Sequence, residues 1–290
     1  MKNRITALIS ILAVYAVIIT GTFAWANFSQ SAVNEWRDSA EPGGTTHDDF
    51  DDPVKHIYIE NWGTSALFVR IRLDEYMETG EGAGRYIKNE DGTRARDPEN
   101  QALPMYPGTL IYDKETWITH IPGGQPENCG KGFHDYWRWE MGGWKYYMPA
   151  PDDLKKENGY VDQNTGVFGE FTPGVKKTQD STDKALTMGQ WLGLNAPVGP
   201  YWVIDADGWA YWAAPLEPGT ATGLLLESVR LTDEPDDSYY YAINVTAQMA
   251  TKKGAQNYTD FFGDPEDKNY SATDDGEYLL NKIAGYGPDA

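Results

Sequence analysis

Cysteine is almost missing from this chain. Cys129 is the only one in 290 residues, so no internal disulfide can form and no Cys-x-x-Cys metal or redox pair exists. Histidine is scarce as well. His47, His56, His120 and His134 are scattered, with no His-Glu-x-x-His run and no helical i, i+4 pair of the kind zinc hydrolases use. Positive charge is in deficit, with 24 Lys and Arg against 44 Asp and Glu and a formal net charge of −20. Such a field excludes a phosphate-neutralising surface, and hence nucleic acid as a partner. It also disfavours anionic membrane surfaces. Internal repeats and low-complexity tracts are absent. A hydrophobic content of 40% with 23% charged residues is that of a folded chain.

The one long apolar run lies at the N-terminus. Lys2 and Arg4 precede Ile5 to Ile19, followed by Gly21-Thr22-Phe23-Ala24-Trp25-Ala26. A charged start, an apolar stretch and an Ala-x-Ala site at Ala24 and Ala26 predict a signal peptide over 1–26, cut before Asn27. A retained anchor is the alternative, because the run approaches the ~18–20 apolar residues that span a bilayer. Polar Asn27, Ser29 and Gln30 directly after the site favour cleavage. Losing Lys2 and Arg4 takes the net charge from −20 to −22. An exported protein without disulfides fits a bacterial surface better than an animal secretory route.

Beyond that segment the periodicity is that of strands. Leu67, Val69, Ile71 and Leu73 alternate with Phe68, Arg70, Arg72 and Asp74, which predicts a strand with one buried face. His56 to Glu60 reads the same way, and Asn61 to Ser65 supplies a turn. Between Tyr239 and Met249 the odd positions form one apolar face, opposite Asn244, Thr246 and Gln248. Tyr201–Ile204 and Trp209–Trp212 flank Asp205-Ala206-Asp207-Gly208, a signal for a hairpin with a tight primed turn. Leu224 to Leu231 forms a further strand. Helix is expected over Thr182–Leu194, with Thr182 as N-cap, and over a short stretch near Glu277–Ile283. The fold class is therefore all-β, an antiparallel β-sandwich with one or two short helices. Its domain spans 54–250 and carries a long, loop-rich insertion at about 85–195. Residues 27–53 form a leader and 251–290 an acidic C-terminal tail.

The signal region, together with Asp52-Pro53-Val54-Lys55-His56-Ile57-Tyr58-Ile59-Glu60-Asn61 and Leu67 to Leu73, resembles secreted Gram-positive proteins of the TasA/camelysin group. Asp207 to Trp212, Pro215 to Thr220 and Tyr240 to Val245 are similar to the second half of its larger members. The resemblance covers about half of the chain. It implies a jelly-roll sandwich, processing by a dedicated SipW-type signal peptidase, and a place on the cell surface or in the extracellular biofilm matrix. It also implies assembly into fibres, as in TasA, while the camelysin side of the group implies a metalloprotease. Residues of about 80–195 have no counterpart in the shorter fibre-forming members.

Three functions follow. A sandwich with an open edge accepts a strand from a neighbour, so the leader is a candidate donor with Phe28, Ala32, Val33 and Trp36 as apolar pegs. That makes the protein a structural subunit partnered by itself or by other matrix subunits. Eleven Trp and nineteen Tyr also allow a non-catalytic binder of cell-wall or matrix polysaccharide. Its stacking candidates are Trp137, Trp139, Trp144, Trp209 and Trp212, for which core packing is the competing explanation. A protease requires a zinc site that the scattered histidines do not supply. No catalytic residue is nominated. The acidic run Asp48, Asp49, Asp51 and Asp52 is a weak candidate calcium site, the one cofactor considered, and a solvated acidic loop is the favoured explanation.

Overall fold

The computed structural model describes residues 32–37, 44–51, 54–61, 65–121, 132–141, 185–251 and 272–285. The first strands are β1 (Ala32–Arg37), β2 (Gly44–Asp51), β3 (Val54–Asn61) and β4 (Leu67–Thr79). Then come β5 (Tyr86–Lys88), β6 (Arg94–Arg96), β7 (Leu103–Pro104), a 3-10 turn (Lys114–Thr116) and β8 (Ile118–Thr119). Helix α1 (Phe133–Tyr136) leads into β9 (Trp137–Met141), and β10 (Leu186–Thr187) leads into α2 (Met188–Gly193). The remainder is β11 (Trp202–Ile204), β12 (Trp209–Trp212), β13 (Thr220–Ala221), β14 (Leu226–Leu231), β15 (Tyr239–Thr251) and α3 (Asp274–Ala284).

Two sheets share one core. The larger runs β1-β15-β4-β12-β11-β10, with β7 and β8 also paired to β4. The smaller runs β13-β3-β14-β9, with β2 on β3. The long strands β4 and β15 pair antiparallel from Leu67↔Thr251 to Thr79↔Tyr239. Their odd-numbered residues, among them Ile71, Leu73, Ile243 and Val245, face Ile57, Ile59, Leu226 and Val229 of the smaller sheet. Each such side chain stabilises the fold by ~1.5–3 kcal/mol on burial. The alternation in the sequence therefore reports this inner face correctly, and the chain is an all-β sandwich.

The other face of β4 departs from expectation. Arg70, Asp74 and Glu78 alternate with the core positions, yet all three are buried. Helices α2 and α3 cover one end of this face through Met188, Trp191, Leu279, Leu280 and Ile283, packed on Phe68, Trp209 and Tyr211. Tyr76, Tyr240, Ile111 and Trp117 cover the other. Charge survives there because it is partnered. The Arg70 guanidinium donates to Gln248 Oε1 at 2.7 Å and to the Tyr211 hydroxyl at 3.2 Å, and lies 4.1 Å from the Trp209 ring centre. Glu78 accepts from the Tyr76 hydroxyl (2.5 Å), Gly84 N–H (2.7 Å) and Asn100 Nδ2 (2.8 Å), tying the 80–102 excursion to the sheet.

Local expectations are adjusted in three places. The helix expected from Thr182 begins at Met188, capped by the Thr187–Gln190 box, because Leu186–Thr187 is strand paired to β11. In the β11–β12 hairpin only Gly208 has positive φ, with its N–H donating to Asp205 O, so the turn is not of the primed type. The stretch at 85–195 is partly sandwich: β7 and β8 pair with β4, β9 with β14, and β10 with β11. Near the C-terminus the expected helix is α3. Thr273 caps it and Gly285 closes it in the left-handed region. Its apolar side, Leu279, Leu280 and Ile283, packs with Phe68, Trp209 and Tyr211. Among the described residues no helix is long and apolar enough to cross a membrane.

Candidate functional site

Two features stand apart from ordinary packing. The first is a charged cluster inside the sandwich. In β4 the inward positions run Leu67, Val69, Ile71, Leu73, then Glu75, then Met77, so parity places a carboxylate in the core. It is 1% exposed. His120 reaches it because β8 pairs with β4 at Glu75↔Ile118 and the His120 N–H then donates to Leu73 O. Its Nδ1 lies 2.8 Å from Glu75 Oε1. His134 comes from α1, whose following strand β9 is held on β14, and its Nε2 lies 3.5 Å from the same oxygen. The Tyr241 hydroxyl donates to Glu75 Oε2 at 2.6 Å and accepts from Trp139 Nε1 at 2.9 Å. The Trp139 ring stacks on His120 at 3.8 Å, and Trp137 stacks on Tyr241 at 4.3 Å.

The electrostatics follow from these contacts. Burial pushes the Glu75 carboxyl up, but the hydrogen bonds and charge of His120 and His134 outweigh it and hold the group down at about 2. An ionised carboxylate only accepts, so Nδ1 of His120 carries the hydrogen between them. Burial lowers the His134 imidazole, and Glu75 more than reverses this, so His134 is raised above its ordinary value. Burial first, then the neighbouring Glu75, raises Tyr241, which remains a donor. The cluster thus offers two imidazoles and a carboxylate with ligand atoms within 4.8 Å of one another. His134, with a side chain 30% exposed, is its route to solvent.

The second feature is the sheet edge. Strand β1 runs parallel to β15 in register Ala32↔Val245 through Arg37↔Ala250 and, among the described residues, is the outermost strand of the larger sheet.

No protein-family model, curated protein or solved structure matches this chain. The site is therefore read from its own geometry.

Of the donor candidates, Ala32, Val33 and Trp36 lie in β1, and Phe28 lies outside the described residues, as do Ala24, Ala26 and Asn27. Three glycan candidates are corrected. Trp137, Trp209 and Trp212 are buried, Trp137 stacked on Tyr241, Trp209 under the Arg70 guanidinium and Trp212 in edge contact with Trp202, so no ring face is offered to a sugar. Trp139 is half-buried and belongs to the histidine cluster, and Trp144 lies outside the described residues. Of the calcium candidates, Asp48, Asp49 and Asp51 lie in strand β2. Asp48 is paired with Lys55. Asp52 lies outside the described residues.

Sequence reasoning missed Glu75, His120, His134 and Tyr241 as a group. One signal was available: Glu75 interrupts the apolar parity of its own strand. Nothing local to His120 or His134 marks them as its partners.

Proposed function

We propose that this protein is a secreted structural subunit of a Gram-positive cell surface or extracellular matrix, and that it assembles with copies of itself by exchanging β1. The observation that carries the reading is the position of β1. A segment near the predicted signal cleavage site supplies an edge strand and pairs, among the described residues, with β15 alone. An edge strand held by one neighbour near a chain end is the element that strand addition and domain swapping use. In the monomer β1 would cover the β15 edge of its own sheet. In a fibre it would cover the edge of the next copy, leaving that copy's β1 free to continue the chain. A parallel ladder transfers without change of register, since donor and acceptor are identical in both settings.

The resemblance to the TasA/camelysin group supports the same reading, as does the predicted signal peptide that would free this segment only after export. Burial of Trp137, Trp209 and Trp212 argues against a glycan platform.

Sedimentation and negative-stain imaging of residues 27–290 beside residues 38–290 test this. Concentration-dependent oligomers or filaments from the longer form alone are expected. Val33→Pro, which removes a main-chain N–H within β1, should shift the longer form toward monomer. Assembly that survives loss of residues 27–37, or a longer form that stays monomeric at all concentrations, overturns the proposal.

A further inference from the structure

The Glu75 cluster has no part in strand exchange, and its composition is unusual for a sandwich interior. A hydrophobic residue at position 75 would continue the strand's own pattern, and an isolated buried carboxylate costs several kcal/mol. The chain instead converges two imidazoles on one oxygen of that carboxylate from two separate segments. We propose that Glu75, His120 and His134 form a binding site for a borderline divalent transition ion of the Zn2+ class.

Four observations carry this. The first is the donor set. Two imidazoles and one carboxylate, with ligand atoms within 4.8 Å of one another, match the N and O ligands that zinc takes at ~2.0–2.2 Å. Tetrahedral ligands around such an ion stand roughly 3.4 Å apart, and His134 Nε2 is already 3.5 Å from Glu75 Oε1. The 2.8 Å contact of His120 must open, as its hydrogen-bonded proton gives way to the metal, and all three ligand atoms already lie within 4.8 Å of one another.

The second is the outer shell. The free oxygen of Glu75 is held by Tyr241, Tyr241 in turn by Trp139, and Trp139 stacks on the His120 ring. Metal-binding carboxylates and imidazoles are oriented by such partners. Here the arrangement leaves Oε1 facing both histidines.

The third is access. Glu75 and His120 are buried, whereas His134 is partly open to solvent on a four-residue helix at the rim. An ion would enter past His134 and retain water on that side.

The fourth is discrimination. Calcium takes 6–8 oxygen ligands, and two nitrogens of three protein donors exclude it while suiting zinc, nickel or copper.

The full chain, stripped with chelator and titrated with ZnCl2, tests the proposal by metal retained after desalting and by the thermal midpoint. Stoichiometric zinc and a raised midpoint are expected, because an ion that binds only the folded state stabilises it. His134→Ala, at the exposed ligand, should remain folded and weaken zinc binding roughly tenfold or more. Tyr241→Phe should weaken it less, leaving the ligands in place. CaCl2 at the same concentration should neither displace zinc nor raise the midpoint. The proposal is overturned if the parent retains no zinc. It is equally overturned if His134→Ala and His120→Gln, both folded by circular dichroism, retain it as the parent does. That second result would place the ion outside this cluster.

Discussion

Glu75 and Tyr241 lie diagonally across the inner face of the β4–β15 pair, joined by a 2.6 Å hydrogen bond from the tyrosine hydroxyl to Glu75 Oε2. Residue 75 is opposite Ile243 and residue 241 is opposite Met77, so the two rows of inward side chains meet at this bond. It sets the orientation of the carboxylate and couples the histidine cluster to the long β4–β15 strand pair.

Tyr241→Phe keeps the ring on Trp137 but deletes the hydroxyl, leaving a carboxylate oxygen and the Trp139 indole N–H without it. The expected loss is ~1–3 kcal/mol, read as a lower denaturant midpoint with unchanged slope. A change below a few tenths of a kcal/mol would contradict the buried hydrogen bond.

In chelator-treated protein the cluster makes stability depend on pH at both ends. Glu75 is depressed from 4.5 to about 2, so its contribution is present above pH 4.5 and is lost as pH falls toward 2. His134 is raised from 6.5, so its contribution is full below pH 6.5 and is lost as pH rises through its folded value. Unfolding midpoints measured from pH 4 to 9 should fall above neutrality in the parent. His134→Gln should flatten that limb. An unchanged limb in the variant would assign the loss to another group.

Two helix glycines are expected to respond with opposite sign to alanine. A Cβ on Gly276 in α3 would lie 2.9 Å from the Tyr211 hydroxyl oxygen and 3.0 Å from Asp205 Oδ2, both on buried residues. Overpacking of this kind costs ~1–3 kcal/mol, more than the ~1 kcal/mol that alanine gains in a helix. Gly189 in α2 has nothing within 4 Å of its Cβ position, so only the propensity gain applies. Thermal melts should show Gly276→Ala lowered and Gly189→Ala equal or raised.

Trp137→Ala separates core packing from sugar recognition. The ring is 1% exposed and stacks on Tyr241, so truncation should cost ~3–5 kcal/mol. A folded, equally stable variant that has lost polysaccharide retention would reverse the assignment.

The alternation of Leu67 to Leu73 and of Tyr239 to Met249 was readable in the sequence because each strand has one face in the shared core. The Asp205–Gly208 hairpin was readable because a glycine marks the positive φ. The helix near Glu277–Ile283 could be placed, but not its role as a cover over β4. That depends on Leu279, Leu280 and Ile283 meeting Trp209 and Tyr211, residues far off in the chain. The buried state of Arg70 and Glu78 was equally hidden, since a charged residue on an alternating strand looks solvated until something packs over it.

What the sequence by itself determined is the acidic character of the chain, together with the strand pattern and the inner face, which depend on neighbours within a few residues. Only the tertiary structure decided that Glu75, His120 and His134 share one oxygen, and that Trp137, Trp209 and Trp212 are interior. The cluster arises from β8 pairing with β4 and β9 with β14, ladders that join segments distant in sequence, while Trp209 lies under α2 and α3 and Trp212 in the core between the sheets. Local periodicity reports which side of a strand is buried. It carries no information about which distant segment buries it.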